Sequence, residues 1–283
     1  MAGTLVRIMR FEIIRMLAQA RWLWALLTWL VVAWLAADDV GIRVMLGAAS
    51  WCSVFDVHAA SGNNMLYVGF ILLTAFVLVC SDTLARDRET RFAHVVLVRS
   101  DERRAWWIAK VAAVVVASVL FQAGFLLTTV GVGILKGGVV TAQPSPIARS
   151  ELDVDMGSYG DPLFSPVAVG TNMFGREVLM AAYLAFAFAA IGIALLALTV
   201  RYPHPWLPVT AALGTVIADR VVGWFLRVDW YGLVSPTLRL LEATHSPALV
   251  SSAIPWWTTI VWWLVLGAGS FAAGRHLLAR ADL

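Results

Sequence analysis

Charge is scarce in this chain. Only 14% of its 283 residues are Asp, Glu, Lys or Arg, and 60% are hydrophobic, against roughly a quarter charged and half apolar in a soluble domain. With a mean hydropathy of +0.80, the composition excludes an ordinary water-soluble fold and points to a single membrane domain. Lysine is nearly missing: Lys110 and Lys136 are the only two beside 19 arginines. Neither lies in the Gly-rich turn ending in Gly-Lys-Ser/Thr that a P-loop needs, so the chain is not an ATPase by that route. Cysteine is limited to Cys52 and Cys80. In the topology below they face opposite sides of the membrane, too far apart for a disulfide and too scattered for zinc. The histidines His58, His94, His204, His245 and His276 fall in expected loops or at helix ends, which excludes paired axial haem ligands inside a bundle and makes them isolated interfacial side chains. No catalytic residue, metal site or cofactor site is expected in this chain. A net charge of +3 gives no reason to invoke nucleic acid, because basic loops accompany any membrane protein.

What is present is long apolar runs. A spanning helix needs about 20 apolar residues to cross roughly 30 Å of hydrocarbon. Six segments serve, over residues 22–37, 65–80, 105–135, 178–200, 206–226 and 254–274. The first two are short and must borrow flanking residues or thin the bilayer. Placing the N-terminus inside puts 14 Lys and Arg in inner segments and seven in the longer outer ones. The positive-inside rule therefore favours six helices with both termini cytoplasmic.

The arginines of residues 1–21 are spread along the segment, and no small-residue cleavage site follows the apolar run, so a signal peptide is not expected. At 100° per residue Leu5, Val6, Met9, Ile13, Met16 and Leu17 share one face, with Arg7, Arg10, Arg15, Arg21, Glu12 and Gln19 opposite. This reads as an interfacial helix on the inner leaflet. A long outer loop, 136–176, carries Glu151, Asp153, Asp155 and Asp161 at spacings that do not fit an EF-hand. Asp219 and Arg220 interrupt the fifth apolar run, where ionisable groups are costly and face a cavity, a partner helix or the outer headgroups.

The inner segment 81–104 is the densest in charge. Asp82 with Arg86, and Asp87 with Arg91, are acid-before-base pairs at i,i+4 that favour a short exposed helix. Ser100 before Asp101 and Glu102 suits the start of the next helix. A cytoplasmic helix carrying Glu89, then the pair Arg103-Arg104 and Lys110 entering the third span, resembles the coupling region of ABC transporter permeases of the type 2 exporter family. Residues 1–21 resemble that family's elbow helix. The family commonly has Gly after the Glu and Pro before the Arg, where this chain has Phe92-Ala93 and Ser100.

The resemblance implies an all-α integral membrane permease in the bacterial cytoplasmic membrane, not an enzyme, moving an amphipathic or hydrophobic substrate. It implies a second, identical or homologous permease as partner, with surrounding lipid, and separate ATPase subunits that hold ATP and Mg. Arg86, Asp87, Arg88, Glu89, Arg103 and Arg104 would couple to those subunits, and Asp219 and Arg220 would lie on the pathway or between helices. An ion-gradient secondary transporter and a non-transporting membrane anchor are the rival expectations.

Overall fold

The structure is a computed structural model that describes residues 2–45, 50–64, 66–80, 100–143, 145–146, 172–202, 204, 206–226, 235–236, 238–240 and 255–280. Every extended element among them is a helix: α1 (Ala2–Leu17), α2 (Arg21–Met45), α3 (Asp56–Asn63), α4 (Leu73–Cys80, continuing a π-helical stretch Leu66–Leu72), α5 (Ser100–Leu135), α6 (Met173–Arg201), α7 (Leu207–Leu226) and α8 (Trp256–Arg280). Among the described residues, four helices are long and apolar enough to cross a bilayer: Arg21–Ile42, Arg103–Leu135, Met173–Arg201 and Trp256–Arg280. A fifth candidate is the pair Asp56–Asn63 and Leu66–Cys80, bent by 76°. The apolar stretch Leu207–Asp219 of α7 is shorter.

Side-chain contacts show which ends meet. The Arg21 guanidinium donates to Leu78 O at 2.9 Å, joining the start of α2 to the end of α4. Trp107 near the start of α5 fits against Gly274 of α8, where an added Cβ would lie 2.3 Å from the ring and 3.2 Å from Ala197 of α6. At the opposite end Lys136 Nζ reaches Asp38 Oδ1 at 2.7 Å. The chain just beyond α5 pairs with the segment before α3, through Val54 N to Val139 O and Val139 N to Cys52 O. Successive passes therefore alternate in direction.

Small residues let the helices approach. Gly133 backs onto the Val54 backbone, Gly124 onto the Trp29 ring and Gly192 onto Val114 and Phe76. An aromatic layer of Trp29, Phe76, Phe121 and Phe188, with ring centroids 5.2–6.1 Å apart, fills the middle. The outward faces of α2, α5 and α8 expose Leu23, Leu27, Val119, Leu127, Leu264 and Val265, as helices solvated by lipid do.

The first helix differs from its amphipathic reading. Leu5, Ile8, Met9, Glu12 and Met16 turn inward, while Val6, Phe11, Ile14 and Leu17 are exposed together with Arg7 and Arg10. Glu12, assigned to the polar face, is buried because an opposite charge awaits it on α5.

Candidate functional site

Arg86, Asp87, Arg88 and Glu89 lie outside the described residues. Arg103 and Arg104 sit in the first turns of α5 and face Arg275 of α8 across a small pocket. Asp219 is buried in α7 and accepts a hydrogen bond from Ser235 Oγ at 2.8 Å. The Arg220 side chain is outside the described set. The bundle thus separates the expected residues: Arg103 and Arg104 are at the end holding α1, and Asp219 is toward the other.

Two buried ionic clusters went unread in the sequence. The first ties α1 to α5. Lys110 Nζ lies 2.7 Å from Glu12 Oε2, with side-chain exposures of 0% and 2%. Arg15 shares the same oxygen at 3.0 Å, and the ammonium stands 5.2 Å from the Trp106 ring centroid. Lys110, expected only as part of the coupling motif, is therefore an interior partner of the N-terminal helix. A cation inside an apolar run is the signal that could have found it, since such groups are rarely buried without a partner.

The second cluster lies at the opposite end. His58 Nδ1 is 2.6 Å from Glu177 Oε2, both side chains nearly free of solvent, and Arg176 Nη1 is 3.0 Å from Glu177 Oε1. Arg176 also has further contacts. A carboxylate only accepts, so this contact suits the imidazole tautomer that carries its proton on Nδ1. The His58 ring rests 5.5 Å from that of Phe125, and its Nε2 has no hydrogen-bond partner among the described residues. On the same short helix Asp56 is buried; its Oδ2 accepts from Ser53 N at 2.7 Å, Ser145 also hydrogen-bonds to its carboxyl, and Oδ1 has no hydrogen-bond partner among the described residues. The eight residues of α3 are all buried, because the chain folds inward between α2, α5 and α6 instead of forming an exposed loop. His58 is thus an interior residue, and the small residues Ala59, Ala60, Ser61 and Gly62 after it are what allow its helix into the bundle.

Around Arg239 a third polar contact joins α6 and α8 at the end away from Trp107. Its Nη1 donates to Thr259 Oγ1 at 2.8 Å, its carbonyl accepts from the Tyr183 hydroxyl, and Trp263 Nε1 donates to the same hydroxyl at 3.1 Å. Burial pulls the Arg239 guanidinium below its usual range. Among the described residues no group of three or more His, Cys, Asp or Glu is placed to hold a metal ion.

Chemically, these groups bind one another and tie helices together; none is arranged as a nucleophile with a base. Compared with known proteins, the chain matches no family model and no curated sequence.

Proposed function

We propose that this chain is the membrane-embedded permease subunit of an ATP-driven ABC exporter, with six spans, an elbow helix formed by α1 and both termini in the bacterial cytoplasm. It would pair with a second permease and with separate ATPase subunits, and carry an amphipathic or hydrophobic substrate. The observation that supports this reading is the anchoring on either side of residues 81–99. The helix before it ends at Cys80, next to the Arg21–Leu78 hydrogen bond, and the helix after it begins at Ser100, ahead of the Lys110–Glu12 pair. A push on it would reach α1, α2, α4 and α5 together. Rigid helices joined by buried ion pairs move as units, which suits a bundle that shifts between two packings. ATP would be bound and hydrolysed in the partner chain.

The test is purification of the full chain from its native membrane in mild detergent, with identification of bound proteins. A stoichiometric P-loop ATPase, and substrate movement that stops when its ATP site is disabled, is the expected result. Transport that continues without any ATPase partner would end this reading. One observation favours the rival of an ion-gradient transporter, namely the buried Asp56, His58, Arg176 and Glu177. Buried ionisable groups are what such proteins use. Asp56 and His58 belong to the bent pair Asp56–Asn63 and Leu66–Cys80, as coupling groups at broken helices do, but all four lie near helix ends, whereas such sites sit near the bilayer midplane. Collapse of the proton gradient with ATP maintained separates the two: it should spare an ABC exporter and stop the rival.

A further inference from the structure

Arg103, Arg104 and Arg275 converge on one pocket, whose other walls are Trp107, Leu278 and Ala279 and whose volume is about 280 Å³. Its two sides are held in fixed relation. Trp107 is fully buried in the notch at Gly274 and donates its indole N–H to Phe271 O at 3.1 Å. The helices carrying the three guanidiniums cannot spread there without withdrawing that ring. Arg103 also engages other groups, whereas Arg104 and Arg275 are exposed at the rim. Several guanidiniums around one space favour an anion, and Arg matches phosphate oxygens through paired N–H donors.

The same two helices, with α6, also border an apolar groove of about 610 Å³ whose lining includes Val115, Val119, Leu264, Gly267 and Ala268. Arg104 and Val115 are about three turns apart on one face of α5, roughly 16 Å along the axis. Arg275 and Ala268 are about two turns apart on one face of α8, roughly 10 Å. A basic pocket at the end of the bundle is thus followed, along the same helix pair, by an apolar trough running toward its middle. We propose that this is a binding site for an anionic phospholipid, with the phosphate among Arg103, Arg104 and Arg275 and an acyl chain along Val115, Val119, Leu264 and Ala268. Free phosphate would satisfy the arginines but leave the trough unexplained. Basic pockets between membrane helices on the cytoplasmic side suit such headgroups. The inference rests on the membrane topology proposed above and not on the ATPase partnership.

The experiment uses the purified full chain in neutral detergent, without any partner. Phosphatidylglycerol, phosphatidylcholine with the same acyl chains, and inorganic phosphate at matched ionic strength are each titrated. Retention is read by native mass spectrometry and stability by thermal unfolding. Phosphatidylglycerol should be retained and raise the melting temperature, with phosphatidylcholine at least about tenfold weaker and phosphate without effect. Arg104→Gln with Arg275→Gln should weaken phosphatidylglycerol at least about tenfold. Ala268→Phe, which leaves the arginines in place, should weaken the long-chain lipid but not a short-chain analogue. Equal retention of both headgroups, or unchanged binding in the double arginine variant, would overturn the site. Phosphate reproducing the stabilisation would reassign it to a free anion, and a lipid-independent dimer lost in the same variant would reassign it to a second copy. Because the readout is the isolated chain, its failure leaves the ATPase question where it stood.

Discussion

Lys110 Nζ lies 2.7 Å from Glu12 Oε2 in a contact almost closed to solvent, and it fastens the N-terminal helix to a helix that begins about 80 residues after that helix ends. Removing one member of a buried pair typically costs about 3–5 kcal/mol, while replacing both by apolar groups is often close to neutral. Glu12 also neutralises Arg15. Glu12→Leu should therefore destabilise by about 3 kcal/mol or more, and Lys110→Met by less, because Arg15 still neutralises the carboxylate. The double variant should recover most of the loss. Thermal and denaturant unfolding in one detergent would measure this; additive losses in the double variant would show that the two charges do not act as a pair.

At the other end, Glu177 serves two partners and His58 one. Glu177→Ala deprives the imidazole of its carboxylate and Arg176 of one of its contacts, whereas His58→Ala leaves the carboxylate with the guanidinium. Stability should fall in the order Glu177→Ala, then His58→Ala, the first by about 3 kcal/mol. Glu177→Gln keeps an acceptor for Nδ1 and should lose about 1–2 kcal/mol, in the range of a weakened hydrogen bond. A greater loss for His58→Ala than for Glu177→Ala would contradict the arrangement.

The notch at Gly274 gives a steric test. An added Cβ would lie 2.3 Å from the Trp107 ring and 3.2 Å from Ala197 Cβ, so Gly274→Val should destabilise by about 1–3 kcal/mol, as overpacking does. Trp107→Phe shortens the ring and should offset part of that loss, although it forfeits the hydrogen bond to Phe271 O. The signature is non-additivity between two residues in contact. Strict additivity in unfolding measurements would mean that the ring is not in the notch.

These three contacts also mark what could be read from residue order. Apolar runs are local, and the helices Arg21–Met45, Ser100–Leu135 and Met173–Arg201 follow from runs visible by hydropathy alone. Partnership is not local. Glu12 and Lys110 are 98 positions apart, and His58 and Glu177 are 119 apart. Nothing in either neighbourhood names the other. The turn of α3 into the bundle was equally hidden: Asp56 and His58 look like loop residues, and only burial of the whole helix makes them interior. Trp107, near the start of its helix, is fully buried because Gly274, 167 positions away, leaves room for its ring. Of the residues expected to act, Arg103 and Arg104 share one pocket at one end of the bundle and Asp219 lies toward the other, while the Arg220 side chain and the run from Arg86 to Glu89 lie outside the described residues.

The orientation proposed from the arginine imbalance has a direct check. In a cysteine-free background, Cys introduced at Ser158 should react with a membrane-impermeant reagent on intact cells, and Cys introduced at Thr90 only after permeabilisation. The reverse pattern would place the termini outside and overturn the proposed topology.

The coupling role assigned to residues 82–91 leads to the most specific functional expectation. A helix that transmits force must present side chains to another protein, and Arg86, Asp87, Arg88 and Glu89 can do this where the apolar run from Phe92 to Val98 cannot. Exposed ion pairs within one chain contribute only about 0.2–1 kcal/mol, so reversing charge there should leave membrane insertion and thermal stability nearly unchanged. Across a docked interface the same reversal can cost several kcal/mol, because it leaves a buried partner charge without its counterpart. Glu89→Arg, alone or with Arg88→Glu, is therefore expected to weaken ATPase binding, or the coupling of ATP turnover to transport, by at least about tenfold, which corresponds to about 1.4 kcal/mol. Binding is measured by co-purification and coupling by transport per ATP hydrolysed, with the Glu12 and Lys110 variants as controls for simple loss of packing. If the double reversal keeps full partner binding and full transport, the segment serves only to set topology through its arginines, and the membrane-anchor reading gains.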